Sequence, residues 1–108
     1  MASKFKASVI QLIKKVPKGR VVSYGQVASA AGSPRASRQV GAILRGLDLS
    51  GRGVPWWRVV NNKGIISIKG NWTATKELQA FLLIKEGVMV SDKFSLEIEK
   101  YRFKKLTL

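Results

Sequence analysis

The residues best equipped for chemistry are two adjacent tryptophans followed by an arginine, Trp56-Trp57-Arg58, and the arginines Arg35, Arg38 and Arg45 set among Ala36, Gly41 and Ala42. Flat aromatic faces stack on planar ligands, and guanidinium forks grip phosphates and carboxylates. Neither makes or breaks a covalent bond. With no cysteine and no histidine in 108 residues, the chain has no thiolate or imidazole to offer, which removes nucleophile–base pairs of that kind and soft-metal sites. No catalytic residue, metal or cofactor is therefore expected. What remains is binding.

The charge narrows the class of ligand. Twenty Lys and Arg against six Asp and Glu leave +14, which strains a compact chain by self-repulsion and favours a polyanionic partner such as nucleic acid. A basic balance alone does not separate DNA from RNA or from an acidic membrane surface. No apolar run approaches the ~18 residues that span a bilayer, and nucleic acid rather than a membrane is the expected partner. The basic stretch Lys4 to Lys15 has charges that are all lysine and an apolar stripe suited to a core, and reads as a first helix rather than a transit peptide. Absence of cysteine fits an intracellular protein, in the cytoplasm or nucleoid, or the nucleus of a eukaryote. The length and a 45% hydrophobic content suit one domain over residues 1–108, with a basic C-terminal extension from about residue 88.

Several elements must position these residues. Phe5, Val9, Leu12, Ile13 and Val16 recur at helical spacing and predict a helix from about 4 to 16, stopped by Pro17 and Gly19. Ser23 and Gln26 form a capping-box pair, so a short helix should run from Tyr24 to about Ala31. Gly32-Ser33-Pro34 then reads as helix stop, N-cap and first helical position, opening a second helix from Pro34 to about Arg45. Two short helices across so tight a turn make a helix-turn-helix, with the arginines on the second. Arg58-Val59-Val60 and Ile65-Ile66-Ser67-Ile68 flank Asn61-Asn62-Lys63-Gly64 and predict a β-hairpin, the wing of a winged helix-turn-helix. A last helix starts at Thr73 or Thr75 and stops at Gly87, a strand is expected near Phe94 to Ile98, and a basic tail around Tyr101 to Lys105. The fold class is thus mainly α with a small β-hairpin.

The runs at 21–28 (VVSYGQVA), 37–46 (SRQVGAILRG) and 54–60 (VPWWRVV), with the helix-closing pair Glu86-Gly87, resemble in order and spacing the DNA-binding domain of the O6-alkylguanine-DNA alkyltransferases. The resemblance covers about residues 5–90. In those enzymes the third motif reads Pro-Cys-His-Arg-Val, and its cysteine takes the alkyl group from the damaged base. Here Trp56 stands at the cysteine position and Trp57 at the histidine position. The chain is similar to the noncatalytic, alkyltransferase-like branch of that family, which implies a monomer that binds O6-alkylguanine in double-stranded DNA without alkyl transfer and hands it to nucleotide excision repair proteins.

The same resemblance assigns expected roles. Arg38 would enter from the minor groove and fill the gap left by the flipped nucleotide, since extruding a base costs a few kcal/mol that the protein must offset. Its plainer reading is a phosphate contact. Tyr24 would crowd the target phosphate and favour rotation, Ser23 caps its helix in either case, and Arg35 adds positive charge beside the DNA. Gly41 and Ala42 allow close approach to the groove or serve helix packing. Trp56 is expected to wall an open base pocket, with Trp57 in the core or the pocket's outer shell, Arg58 as a brace, and Val59 in pocket backbone and core. Lys69 either offers a cation over the base or is simply solvated. Glu86, which in the enzymes orients the histidine, loses that purpose here. Leu47 stands where the enzymes have an asparagine, and the segment 48–52 is a different loop. The competing reading is a winged helix-turn-helix regulator or chromatin architectural protein without lesion preference, both tryptophans being core.

Overall fold

The computed structural model of the chain describes residues 2–47, 53–66 and 75–108. Helix α1, Ala2–Lys14, buries the predicted stripe Val9, Leu12 and Ile13. The capping box at Ser23 is present in both directions: Gln26 N–H donates to Ser23 Oγ at 3.1 Å, and Ser23 N–H to Gln26 Oε1 at 3.0 Å. It opens α2, Tyr24–Ala30. Gly32, at φ +91°, ends α2 in a left-handed turn closed by Ser33 N–H to Ala28 O and Gly32 N–H to Ser29 O, the pairing that satisfies the last carbonyls of a helix. Helix α3, Ser37–Arg45, follows.

It starts three residues after the expected Pro34. Ala36 N–H bonds back to Ser33 O at 2.9 Å, so Ser33 to Ala36 form a separate turn before the helix begins. Trp56–Arg58 make a single 3₁₀ turn, and Thr75 caps α4, Lys76–Lys85, by accepting from Leu78 N–H at 3.1 Å. The chain ends with α5, Ile98–Tyr101, and an extended segment.

The sheet differs from the expected hairpin. The strand Val59–Val60, β2, pairs in parallel with Val22–Ser23, β1, with Val22 opposite Val59 and Ser23 opposite Val60. The turn at 61–64 does form, by Gly64 N–H to Asn61 O and Asn61 N–H to Ile65 O, but Ile65 then bridges Ser95 rather than extending a two-stranded wing. Gly64 is required where it stands, since a Cβ there would collide with the Leu96 carbonyl oxygen. Ser67 and Ile68 lie outside the described residues. Of the strand expected at 94–98, only the bridge at Ser95 is present, and Ile98 already belongs to α5.

Two buried clusters hold these elements together. One joins α1 to α2 and α3 through Val9, Leu12, Ile13, Val27, Val40 and Leu44; the other joins Val21, Val60 and Ile66 to Leu83, Leu96 and Ile98. Trp57 packs against both.

Candidate nucleic-acid interface

The helix-turn-helix presents a broad groove of about 1180 Å³. One wall is the start of α2, with Ser23, Tyr24, Gln26 and Ser29; another is α3 and its lead-in, with Ser37, Arg38, Gly41 and Arg45. The turn residues Asn61 and Asn62 and the C-terminal residues Arg102, Lys104 and Leu106 complete it. Among the described residues its lining carries four cations, Arg38, Arg45, Arg102 and Lys104, and no carboxylate. A polyanion is the ligand such a surface attracts.

Local sequence explains how the side chains are set. The Ser23 cap fixes the first turn of α2, and Tyr24 follows it, half-buried at the groove's edge. Burial pushes the Tyr24 hydroxyl above its ordinary pKa, with the nearby Arg45 charge opposing, so at neutral pH it stays protonated and can donate to a phosphate oxygen. Arg38 is exposed in the first turn of α3, and among the described residues it has no hydrogen-bond or ion-pair partner. A Cβ added at Gly41 would meet Arg45 Nη1 at 3.6 Å and Tyr24 Cε1 at 3.9 Å, which is ordinary contact. The protein's own packing therefore does not demand glycine there; the missing side chain leaves room on the groove side. Ala42 and Arg35 are exposed but do not line the groove, and Arg35 lies in the turn ahead of α3 rather than on it.

The tryptophan turn is arranged differently from expectation. Trp56 is 5% exposed and packs with Val9, Leu12, Val40 and Leu44, so it is a core residue and not the wall of an open pocket. None of Trp56, Trp57, Arg58 and Val59 lines the groove. The reason is that the turn is built into the buried cluster of aliphatic residues from α1, α2 and α3, where an indole gains more from burial than from exposure. Trp57 stands edge-on to Trp56, with ring centroids 6.0 Å apart at 88°, and is half-buried between the two clusters. Val59 is fully buried in β2. Lys69 lies outside the described residues, as does the loop 48–52.

Behind the groove, Glu86 gathers the turn into a polar bracket. Its carboxylate accepts from Trp57 Nε1 at 2.9 Å, from Arg58 Nε at 3.0 Å and Nη2 at 2.6 Å, and from the Gly19 N–H at 3.1 Å. Arg58 also donates through Nη1 to Val16 O at 2.8 Å, and its guanidinium stands 5.3 Å from the Trp57 ring centroid. Burial alone would raise the Glu86 carboxyl, but the donors from Arg58, Gly19 and Trp57 outweigh it and hold the pKa below its ordinary value. Arg58 thus ties the turn to the segment just after α1 and to Glu86, through a carboxylate as well as a backbone carbonyl. Gln79 Nε2 secures the same turn by bonding the carbonyls of Trp57 and Val59 at 3.0 and 2.9 Å. The bracket reaches the groove through the sheet, since Val59 and Val60 pair with Val22 and Ser23.

Sequence reasoning missed the groove's far side. Gln26 was read only as a cap partner, yet its Oε1 also accepts from Arg102 Nη1 at 2.6 Å. Asn61, Asn62, Arg102 and Lys104 were not singled out. One signal was available: Tyr101-Arg102-Phe103-Lys104 alternates aromatic and basic residues, the period of an extended segment with one wet side.

Comparison with known proteins agrees with this architecture. Residues 4–88 match the family model described as 6-O-methylguanine DNA methyltransferase, DNA binding domain. A DNA base-flipping protein of Escherichia coli K12 is 43% identical over 99 residues, covering 92% of this chain and 74% of that protein. Alkyltransferase-like protein 1 of Schizosaccharomyces pombe is 33% identical over 104 residues, covering 93% and 94%. The crystal structure of S. pombe Atl1 in complex with damaged DNA containing O6-carboxymethylguanine superposes with a TM-score of 0.86 at 32% identity, over 94% of this chain and 96% of that one. The fold is mainly helical and winged helix-turn-helix-like, with a small two-stranded sheet, and the chain belongs to the 6-O-methylguanine DNA methyltransferase family through that family's DNA-binding domain.

Proposed function

We propose that this protein binds O6-alkylguanine lesions in duplex DNA by flipping the damaged nucleotide, without accepting the alkyl group, and flags the site for nucleotide excision repair proteins. It acts as a monomer on intracellular DNA and uses no cofactor. The observation that carries the reading is the groove in which Arg38 stands exposed, with no partner among the described residues, beside the vacant side-chain position at Gly41 and the protonated Tyr24 hydroxyl. An unpaired guanidinium on the first turn of a recognition helix is free to fill the space of an extruded base. Tyr24 bears on the phosphate of the rotating nucleotide, and Ser23 fixes the helix that carries it. The relatives support the same reading: one is named for base flipping, and another is solved on DNA with an O6-alkylated guanine. Alkyl transfer has no acceptor thiol in this chain, and the hand-over to repair proteins is what likeness to the noncatalytic branch implies.

A second reading has an observation of its own. The burial of Trp56 is what a winged helix-turn-helix binder without lesion preference also requires. Titration of labelled duplexes with and without O6-methylguanine at matched salt separates the two. Tighter binding of the lesion duplex is expected, with Arg38→Ala losing more of that affinity than Lys63→Ala, which removes a solvated lysine. Equal affinity for both duplexes would establish the second reading, and equal losses for the two variants would remove intercalation by Arg38.

A further inference from the structure

The matched family domain ends at residue 88, yet the groove does not. The segment after α5 runs beside β1: Val21 N–H donates to Tyr101 O at 3.0 Å, Phe103 N–H donates to Val21 O at 2.8 Å, and Arg102 bridges Val21 in parallel. An extended segment alternates its sides. Arg102 and Lys104 accordingly line the groove while Phe103, between them, packs on the core. Lys105 is exposed but does not line the groove.

Arg102 and Lys104 differ in what they are free to do. The Arg102 guanidinium is held by Glu99 at 2.8 and 3.1 Å, by Gln26 Oε1 at 2.6 Å and by Asn62 Oδ1 at 3.3 Å. It ties the C-terminal segment to the α2 cap and to the 61–64 turn. Lys104 feels the charge of Glu99 but is exposed and makes no hydrogen bond among the described residues, and its long stem can follow a phosphate. It faces a groove whose other cationic wall is α3.

We propose that the C-terminal segment is a second backbone-gripping wall of the groove, in which Lys104 takes a DNA phosphate across from α3 and Arg102 positions it. The proposal rests on the DNA-binding part of the function above, not on lesion recognition. A phosphate contact carries no base information, so its loss affects damaged and undamaged duplex alike.

The adjacent lysines provide the test. Full-length Lys104→Ala and Lys105→Ala are titrated with duplexes with and without O6-methylguanine, from 50 to 200 mM salt, with thermal unfolding as a check that both fold. For Lys104→Ala the expected result is weaker binding of both duplexes by the same factor, and a log K against log salt slope shallower by about 0.9, equivalent to about 3.5-fold less affinity lost over that range. Lys104→Arg keeps the parent slope, and so does Lys105→Ala. A parent slope in Lys104→Ala, or an equal change in both alanine variants, would overturn the assignment. If the parent protein binds both duplexes equally, lesion recognition fails while the Lys104 slope still decides this inference; if it binds neither, both fail.

Discussion

Replacing Glu86 with alanine is the sharpest test of how the tryptophan turn is held. The carboxylate is only 7% exposed and accepts from Arg58, Trp57 and Gly19 at once. Its removal leaves the Arg58 guanidinium, 14% exposed, with Val16 O as its remaining acceptor among the described residues, and takes the acceptor of the Trp57 indole N–H. Removing one partner of a buried pair costs about 3 to 5 kcal/mol. Because Arg58 keeps some exposure and one strong acceptor, the lower end applies, about 3 kcal/mol. For a chain of this length the unfolding entropy is ~0.23 kcal/mol per degree, so Tm should fall by roughly 13 °C. Equilibrium unfolding in guanidinium, followed by circular dichroism and by tryptophan fluorescence, measures the loss directly. Adding Arg58→Met should recover part of it, since the uncompensated charge goes too. A loss below about 1 kcal/mol, the value of a solvated surface pair, would refute the claim that Glu86 is the anchor of this turn.

Two further outcomes follow from the same site. Donors hold the folded Glu86 carboxyl below its ordinary 4.5, so the unfolded chain takes up that proton at higher pH than the folded one; the stabilisation is complete above the unfolded value and is lost as pH falls through the lower folded value. Stability measured by denaturant titration at a series of pH values should therefore drop on acidification below pH 4.5, and Glu86→Gln should flatten that limb; an unchanged limb would locate the acid sensitivity elsewhere. Trp56→Cys should not transfer a methyl group from O6-methylguanine duplex, because the new thiol lies in the core with an indole, not an imidazole, at position 57. Mass spectrometry of the protein after incubation would detect alkylation, and efficient transfer would contradict this account of the turn.

What could be read in advance was what neighbouring residues decide. The Ser23–Gln26 box, the left-handed stops at Gly32 and Gly87, and the Thr75 cap are each fixed within a few positions, and each is present. The 61–64 turn was legible for the same reason. Its strands were not, because pairing Val59 with Val22, and Ile65 with Ser95, depends on segments more than 25 residues apart. The start of α3 went astray where Pro34 suited two local structures, a helix start and the turn that actually forms. Trp56 shows a different limit. An indole is equally suited to a stacking wall and to a core, and only its tertiary place in the cluster with α1, α2 and α3 residues decides between them. The C-terminal wall was hidden because Arg102 is drawn to the groove by Gln26, 76 positions away.

Trp57 explains how a chain of this family can keep the architecture of its site without the reactive groups. In the enzymes that the motif resembles, the histidine at this position is oriented by the glutamate; here the Trp57 indole N–H makes a 2.9 Å bond to that same glutamate, Glu86. The indole is a donor only, and cannot accept a proton as an imidazole does. The carboxylate is held by donors alone, Trp57 together with Arg58 and Gly19, and serves as the structural anchor of the turn. No bracket residue lines the groove, which the turn meets through the β1–β2 pairing and through the buried cluster it shares with Tyr24 and Leu106. The cations that face a polyanion and the carboxylate that anchors the turn thus lie in separate layers of the fold, so a donor-only indole at position 57 alters the inner layer without removing any cation of the groove.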